Sequence, residues 1–133
     1  MILDGHIHIY EAGGDRREFV RRLRAAGIDG GVVISLAPAC FTLVGQRQSN
    51  TRRLENLLWW CAAAEQLYPF YWIDPLERDA LRQVARAVQA GVRGFKVICS
   101  RHDPGHPRAL RVYRAIADAG RPILFHSGIL WDG

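Results

Sequence analysis

The sequence predicts an α/β fold with a parallel sheet. Five short apolar runs alternate with four amphipathic helical patterns along the 133 residues, in the order βαβαβαβαβ. Strands that alternate with helices of this length form parallel sheets with right-handed crossovers. The strand runs are also largely apolar, as is typical of strands covered on both faces. No linker, low-complexity tract or longer repeat interrupts this rhythm, so we predict a single domain over residues 1–133.

Each apolar run is short enough for a strand and is bounded by turn residues or by a helical pattern. The first run, "MILDGHIHI", carries polar residues at alternate positions, and the second, "GGVVISLA", is rich in β-branched side chains. The third, "FYWID", and the fourth, "VRGFKVI", each precede a helical pattern, and "RPILFHSGI" is the fifth. The predicted strands cover residues 1–9, 30–37, 70–74, 92–98 and 121–129.

Each helical pattern places apolar side chains on one face and arginines on the other. Gly27 and Gly91 suit the C-terminal ends of the first and third helices, and Ser49 or Asn50 suits the N-cap of the second, which we expect to end at Pro69. The predicted helices cover residues 15–27, 49–69, 76–91 and 106–120. On the third and fourth helices, the residues predicted to face the core are Leu81, Val84, Ala85, Val88, Leu110, Tyr113, Ile116 and Ala117.

A parallel sheet of this kind fits two architectures: an open doubly wound sheet and a (β/α)8 barrel. An open sheet that binds nucleotides favours a glycine-rich phosphate loop after its first strand. Gly13 and Gly14 follow the first strand here, but they form no GxGxxG pattern. This absence argues weakly against the open sheet.

Composition argues against several classes of protein. The net charge of +5 raises the question of nucleic-acid binding, but most arginines follow the polar faces of the predicted helices, with no interleaved aromatic residues. We therefore expect no nucleic-acid partner. No run approaches the roughly 18–20 apolar residues of a membrane span, and no secretory leader is recognisable. The three cysteines, Cys40, Cys61 and Cys99, form no CxxC pair, which indicates reduced thiols in a cytoplasmic protein.

One basic residue differs from the others. Of the 18 basic residues, 17 are arginines, and the only lysine is Lys96 in the fourth predicted strand. A buried lysine can lose its proton or react as an amine, whereas arginine cannot. Lys96 is therefore a candidate functional residue.

Three histidines lie at strand positions where parallel sheets commonly have functional residues. Asp4, His6 and His8 alternate along the first strand and are therefore expected on one face. His126 lies at the corresponding end of the fifth strand. Functional groups of parallel sheets gather at the C-terminal ends of the strands, and neutral imidazole is a common ligand of zinc and similar ions. The pattern predicts a metal site formed by these histidines.

Four segments resemble the amidohydrolase superfamily of metal-dependent hydrolases, which fold as (β/α)8 barrels. The resemblance is strongest to the branch that contains aminocarboxymuconate semialdehyde decarboxylase and related hydrolases and decarboxylases. The matching segments, in order and at β/α spacing, are "LDGHIHIY", "WIDP", "GFKVI" and "PILFHSG". The resemblance covers almost the whole chain and implies a TIM-barrel type of fold, with about five of the eight β/α units present.

The resemblance implies roles for individual residues. His6 and His8 would be metal ligands from strand one, and His126 would be the ligand from strand five. Zinc is the expected divalent ion, with manganese or iron as alternatives. Lys96 could be a carboxylated lysine that bridges two metals, a contact for a substrate anion, or a support for neighbouring groups. Asp4 would be a structural carboxylate or would support a metal ligand by orienting it.

The implied reaction is hydrolysis of an amide, ester or lactone of a small molecule, or a related decarboxylation, by metal-activated water. The family pattern also needs a histidine after strand six and an aspartate after strand eight, and a complete barrel takes about 250 residues. With 133 residues we expect the set of catalytic residues to be incomplete. Asp132 follows strand five and is no evident substitute for the missing aspartate.

Three interpretations of these missing catalytic residues remain open. The chain could be part of a longer hydrolase, which we favour, or one of two chains that together form the barrel. It could also be a non-catalytic metal-binding or oligomeric half-barrel module, whose homo-oligomer would cover the open sheet edges. In the loop after strand four, we expect His102 and His106 to be solvated rather than to contact a substrate.

Overall fold

The computed structural model describes residues 1–11, 13–41 and 48–126. Strands and helices alternate in this part of the chain as the sequence predicts. Their bounds are β1 (Leu3–His8), α1 (Arg16–Ala25), β2 (Gly30–Ile34), α2 (Asn50–Cys61), β3 (Leu67–Trp72), α3 (Ala80–Gln89), β4 (Gly94–Ile98), α4 (Pro107–Asp118) and β5 (Ile123–His126). Residues 127–129 of the fifth predicted strand, and Asp132, lie outside the described residues.

The strands form one parallel sheet whose order follows the chain, β1-β2-β3-β4-β5. A doubly wound sheet reverses its strand order at a switch point, and this sheet does not. Right-handed crossovers in a sequential order place all the connecting helices on one face of the sheet. The architecture is therefore a curled half-barrel, part of a TIM barrel, which confirms the predicted fold class.

The hydrophobic core lies between the sheet and the helices. From the sheet it takes Val33, Tyr71, Phe95 and Val97, and helix residues such as Leu57 cover them. Because Tyr71 and Val97 face the helices, the alternate residues of β3 and β4 face the opposite side, which in a complete barrel is the interior. We call this second side the open face.

The core-facing stripes of α3 and α4 agree with the prediction only in part. Val84 and Ile116 are buried, and Val88 and Tyr113 pack against the core, as predicted. Leu81 and Leu110 are 50% and 43% exposed, whereas Ala80 and Ala109 are buried. The small alanine side chains leave room for the helix backbone close to the sheet. Hydrophobicity alone favours leucine as the inward residue. The prediction is therefore wrong for four exposed residues, Leu81, Ala85, Leu110 and Ala117.

The boundary between α2 and β3 also differs from the prediction. α2 ends at Cys61, and Pro69 lies inside β3 instead of ending the helix. The Pro69 carbonyl accepts from the Arg93 N–H at 2.8 Å, so the backbone of Pro69 faces the chain just before β4 begins at Gly94. The missing N–H of the proline therefore costs the ladder no hydrogen bond. The predicted N-cap is confirmed, since the Ser49 hydroxyl accepts from the Arg52 N–H at 3.2 Å.

Two glycines bring β2 into close contact with its neighbours. A Cβ atom on Gly31 would overlap the carbonyl oxygen of Asp4 in β1, and one on Gly30 would overlap the carbonyl oxygen of Gln66 before β3. Glycine is needed at these positions for close backbone approach rather than for an unusual backbone conformation.

A β-bulge accompanies this contact. Asp4 is in register with Gly31 and Ile7 with Val33, so β1 carries one more residue than β2 over this stretch. Gly31 and Val33 lie on the same face of β2, and Asp4 and Ile7 therefore share a face as well. The prediction that Asp4 lies on the same face as the histidine pair is wrong, because the extra residue breaks the alternation.

No helix in the described ranges is long and apolar enough to cross a membrane. The three cysteines are free thiols, as predicted. Burial raises the pKa of Cys40 to about 11 and that of Cys61 to about 12, with Asp74 adding to the effect at Cys40. These two thiols are therefore protonated near neutral pH and are poor nucleophiles.

We predict that Gly31→Ala destabilises the protein by about 1–3 kcal/mol, since the added methyl group forces β1 away from β2. Urea unfolding followed by far-UV circular dichroism measures this cost. Gly5→Ala in β1 is the matched control, because a Cβ there meets no atom within 4 Å. An equal loss of stability in both variants would contradict the close approach at Gly31.

Candidate active site

The histidine pair lies on the open face at the C-terminal half of β1. The Nε2 atoms of His6 and His8 are 2.9 Å apart, and their ring centroids are 4.8 Å apart. Both residues are exposed, although neighbouring atoms shield part of each ring from water. The structure therefore brings together two of the three predicted metal ligands.

Both imidazoles favour the neutral form that binds metal ions. Burial lowers the pKa of His6, and the charges of Lys96 and His126 lower it further against an opposing effect of Asp4. Burial, followed by His6 and Lys96, also lowers the pKa of His8. Neutral imidazole presents a free ring nitrogen, which metal binding requires.

His126 ends β5, in register with Ile98 of β4. Its Nε2 atom is buried and has no hydrogen-bond partner among the described residues. A buried polar nitrogen without a partner is costly and calls for a ligand, water or ion. His126 also lies close enough to His6 to lower its pKa.

These donors suit a divalent ion such as zinc. Two imidazole nitrogens bound to one tetrahedral zinc ion at about 2.0–2.1 Å would be roughly 3.3 Å apart, close to the separation of the histidine pair. Within the described ranges, however, no three His, Cys, Asp or Glu side chains are grouped closely enough to hold a metal ion. The three-histidine ligand set therefore stays a prediction.

Asp4 contacts the backbone of His6 and therefore takes the structural of the two roles expected for it. Its Oδ1 atom accepts from the backbone N–H of His6 at 2.8 Å. The carboxylate thus stabilises the backbone at the β-bulge instead of holding an imidazole.

Lys96 lies on the open face in the middle of the sheet. It is in register with Trp72 on one side and with Leu124 on the other. Only 2% of the residue is exposed, and its ammonium group forms no ion pair or hydrogen bond with the described residues. Burial lowers the pKa of Lys96.

Trp72 is a site residue that the sequence did not reveal. Its ring stands edge-on to His8 with centroids 6.0 Å apart. It is 3% exposed, and its Nε1–H group has no acceptor among the described residues. The open face therefore carries a second buried donor beside Lys96.

Arg53 holds the strand ends next to this face. Its side chain is completely buried in α2. Nε donates to the Leu36 carbonyl at 2.9 Å, and an Nη2 donor bonds the Trp72 carbonyl. Nη1 donates to Asn50 Oδ1 at 2.8 Å and to the Tyr71 hydroxyl at 3.2 Å. One guanidinium thus ties the chain after β2 to the end of β3.

The sequence contained a signal for this role. Arg53 precedes Leu57 by four residues and Trp60 by seven, so it falls on the buried stripe of α2. An arginine on an apolar stripe indicates a buried guanidinium with several acceptors.

The loop after β4 contributes little to the open face. His106 caps α4, where its Nδ1 accepts from the Arg108 N–H at 3.2 Å. His102 Nε2 lies 3.1 Å from the Tyr113 hydroxyl, and Cys99 Sγ lies 3.8 Å from the same oxygen. These side chains contact α4 rather than the histidine pair.

Comparison with solved structures gives a match to the fold. The chain is similar to a probable 2-pyrone-4,6-dicarboxylic acid hydrolase from Acinetobacter baumannii, crystallised with citric acid bound. The TM-score is 0.62 at 12% sequence identity, over 95% of this chain and 49% of that one. The chain thus spans about half the length of this neighbour. No family model matches the sequence, and no curated protein matches it.

We predict that Arg53→Met lowers the free energy of unfolding by about 3 kcal/mol or more, since it leaves buried carbonyl and amide acceptors without donors. Chemical denaturation measures the loss. Arg52→Met is the matched control on the exposed side of the same helix and should change stability by less than about 0.5 kcal/mol. Similar losses in the two variants would rule out a special role for Arg53.

We predict that Lys96→Met stabilises the protein at pH 7, because partial burial disfavours the charged form of Lys96 in the folded protein. The folded pKa of Lys96 lies below its unfolded value, so protonated Lys96 destabilises the fold at pH values below the folded pKa. The gain over wild type should therefore shrink as the pH rises toward about 10.4.

Thermal unfolding of both proteins between pH 7 and pH 10 measures this trend. Arg82→Met, which removes an exposed cation from α3, serves as a control with no such pH dependence. A Lys96→Met variant that is less stable than wild type at pH 7 would show that Lys96 has a stabilising partner.

Proposed function

We propose that this chain supplies the strand-one to strand-five part of a metal-dependent hydrolase site of the amidohydrolase type. The observation that carries the proposal is the convergence of the His6 and His8 Nε2 atoms, 2.9 Å apart on the open face of a parallel half-barrel. The fold of the hydrolase from Acinetobacter baumannii supports the architecture but, at 12% identity, not the chemistry.

His6, His8 and His126 would hold the metal ion. The lowered pKa values of the first two keep them neutral, and the buried Nε2 of His126 needs a partner. When bound, a divalent ion would polarise a substrate carbonyl and lower the pKa of water. Zinc suits a set of imidazole donors best, with manganese or iron as alternatives.

Lys96 and Trp72 would bind and orient the substrate. Both present N–H donors on the open face, and the buried Trp72 Nε1–H has no acceptor among the described residues. Buried donors of this kind select an acceptor, and the positive charge of Lys96 favours an anionic one. We therefore expect the substrate to be a small carbonyl compound that carries a carboxylate.

The described residues place no carboxylate beside the histidine pair to move a proton. Asp4 is the nearest candidate in sequence, but it bonds the backbone of His6. Hydrolysis would need a proton-accepting group from elsewhere, either from further chain or from a second chain. The neighbour's chain, of which this one covers 49%, is long enough to contain such a segment.

We predict that the protein, purified without added metal, contains about one divalent ion per chain by elemental mass spectrometry. His8→Ala and His126→Ala should each lose most of the metal. His106→Asn is the matched control: it removes a histidine but keeps an N-cap acceptor for α4, and it should retain the wild-type metal content.

A folded wild-type protein without metal, or equal metal in all variants, would refute the assignment of ligands. A metal-free protein that is a stable homo-oligomer would instead favour the non-catalytic module. Such an assembly would cover apolar side chains that are exposed in the described structure, among them Ile2, Leu3 and Phe125 at the edge strands.

A further inference from the structure

The side chain of Lys96 is enclosed along its stem and reaches the open face with its amine. Lys96 is the only lysine of the chain, and 2% of it is exposed. No ion pair or hydrogen bond joins the amine to a described residue. The amine is also absent from the fully enclosed polar atoms without a partner in the described ranges, which belong to Asn56, Trp72, Arg121 and His126. The small exposed fraction of Lys96 therefore lies at its amine.

Apolar side chains surround this amine on the open face. Trp72 in β3 and Leu124 in β5 are in register with Lys96 on its two sides. A Cβ atom on Gly94, the preceding residue of β4 on the same face, would overlap the ring of Phe70. The Phe70 ring therefore covers β4 next to Lys96. Three large apolar side chains thus limit the hydration of the amine.

This environment favours the reactive form of lysine. An ammonium group loses hydration among apolar side chains, and no described carboxylate pairs with it to compensate. Burial accordingly lowers the pKa of Lys96. A neutral amine has a free electron pair and is a nucleophile toward carbonyl carbon, and lysines among apolar side chains are activated in this way.

We propose that Lys96 forms a reversible imine with a small apolar aldehyde or ketone that enters the open face. The amine nitrogen attacks the carbonyl carbon, and a C=N bond replaces the C=O bond. Both hydrogens of the neutral amine leave with the carbonyl oxygen as water, so the step needs no oxidant or reductant. The neighbouring Phe70, Trp72 and Leu124 side chains favour an apolar carbonyl compound.

This activity is separate from the hydrolysis proposed above. Imine formation at Lys96 needs no metal ion, and the predicted metal ligands take no part in it. In the hydrolysis, the protonated amine would contact a substrate carboxylate, whereas the neutral amine reacts with the aldehyde or ketone. A chain without metal therefore tests the imine proposal alone.

Reductive trapping with propanal tests the proposal. The full chain, treated with a chelator, is mixed at pH 7 with propanal and sodium cyanoborohydride, which reduces an imine to a stable propylamine, and labelled peptides are quantified by mass spectrometry. The Arg82→Lys variant adds one amine at an exposed position of α3 as an internal reference. We expect Lys96 to be labelled at least about tenfold faster than this reference amine, because the neutral fraction of an amine at pH 7 rises about tenfold when its pKa falls by one.

Two controls attribute this selectivity to the fold. In urea, the two amines should be labelled at similar rates, since unfolding removes the apolar surroundings of Lys96. Leu124→Gln places a polar group beside Lys96 and should slow its labelling several-fold. Leu110→Gln is the matched control, because Leu110 is exposed on α4, and it should leave the labelling rate unchanged.

Labelling of Lys96 in the folded Arg82→Lys variant that is no faster than labelling of the reference amine would overturn the proposal. The same conclusion would follow if Lys96 stayed unlabelled until the chain is unfolded. This comparison requires no substitution in the core, so it stays decisive even if Leu124→Gln does not fold.

Discussion

The geometry of the half-barrel depends on one buried guanidinium. Arg53 reaches from α2 to the carbonyls of Leu36 and Trp72, where the chain leaves β2 and β3. No carboxylate of the described residues forms an ion pair with it, so carbonyl, amide and hydroxyl oxygens must compensate for its desolvation. Because Trp72 in turn stands beside His8, the position of the helix and that of the candidate site are fixed by the same cation.

The two faces of the sheet differ in what their residues contribute: one face supplies the hydrophobic core, and the other carries the candidate site. The helix-covered face buries Val33, Phe95 and Val97 completely and supplies the hydrophobic core. The open face instead carries Lys96 and Trp72, whose donors lack acceptors among the described residues. The hydrophobic cluster between sheet and helices does not include these two residues. This is the arrangement by which barrel folds support many reactions.

The sequence predicts the strand order and the face shared by His6 and His8, because β/α alternation and strand periodicity depend on local patterns. The sequence-based prediction fails where a contact between residues that are distant in sequence determines the local structure. The bulge that changes the face of Asp4 is visible only in the register of β1 against β2, and Pro69 fits its strand because β4 begins at Gly94. Helical periodicity places Arg53 on the buried stripe of α2, but it cannot identify the acceptors of Arg53, which come from segments distant in sequence.

The position of β1 at an edge of the described sheet has a consequence for dynamics. β1 has one neighbour there, β2, and β5 has one neighbour, β4. Edge strands open locally more easily than central ones, so the amides of β1 and β5 should exchange with solvent faster than those of β3. The histidine pair and His126 lie on these two least protected strands. A ligand shared between them would link the two edges, and its binding free energy would appear as slower amide exchange in both.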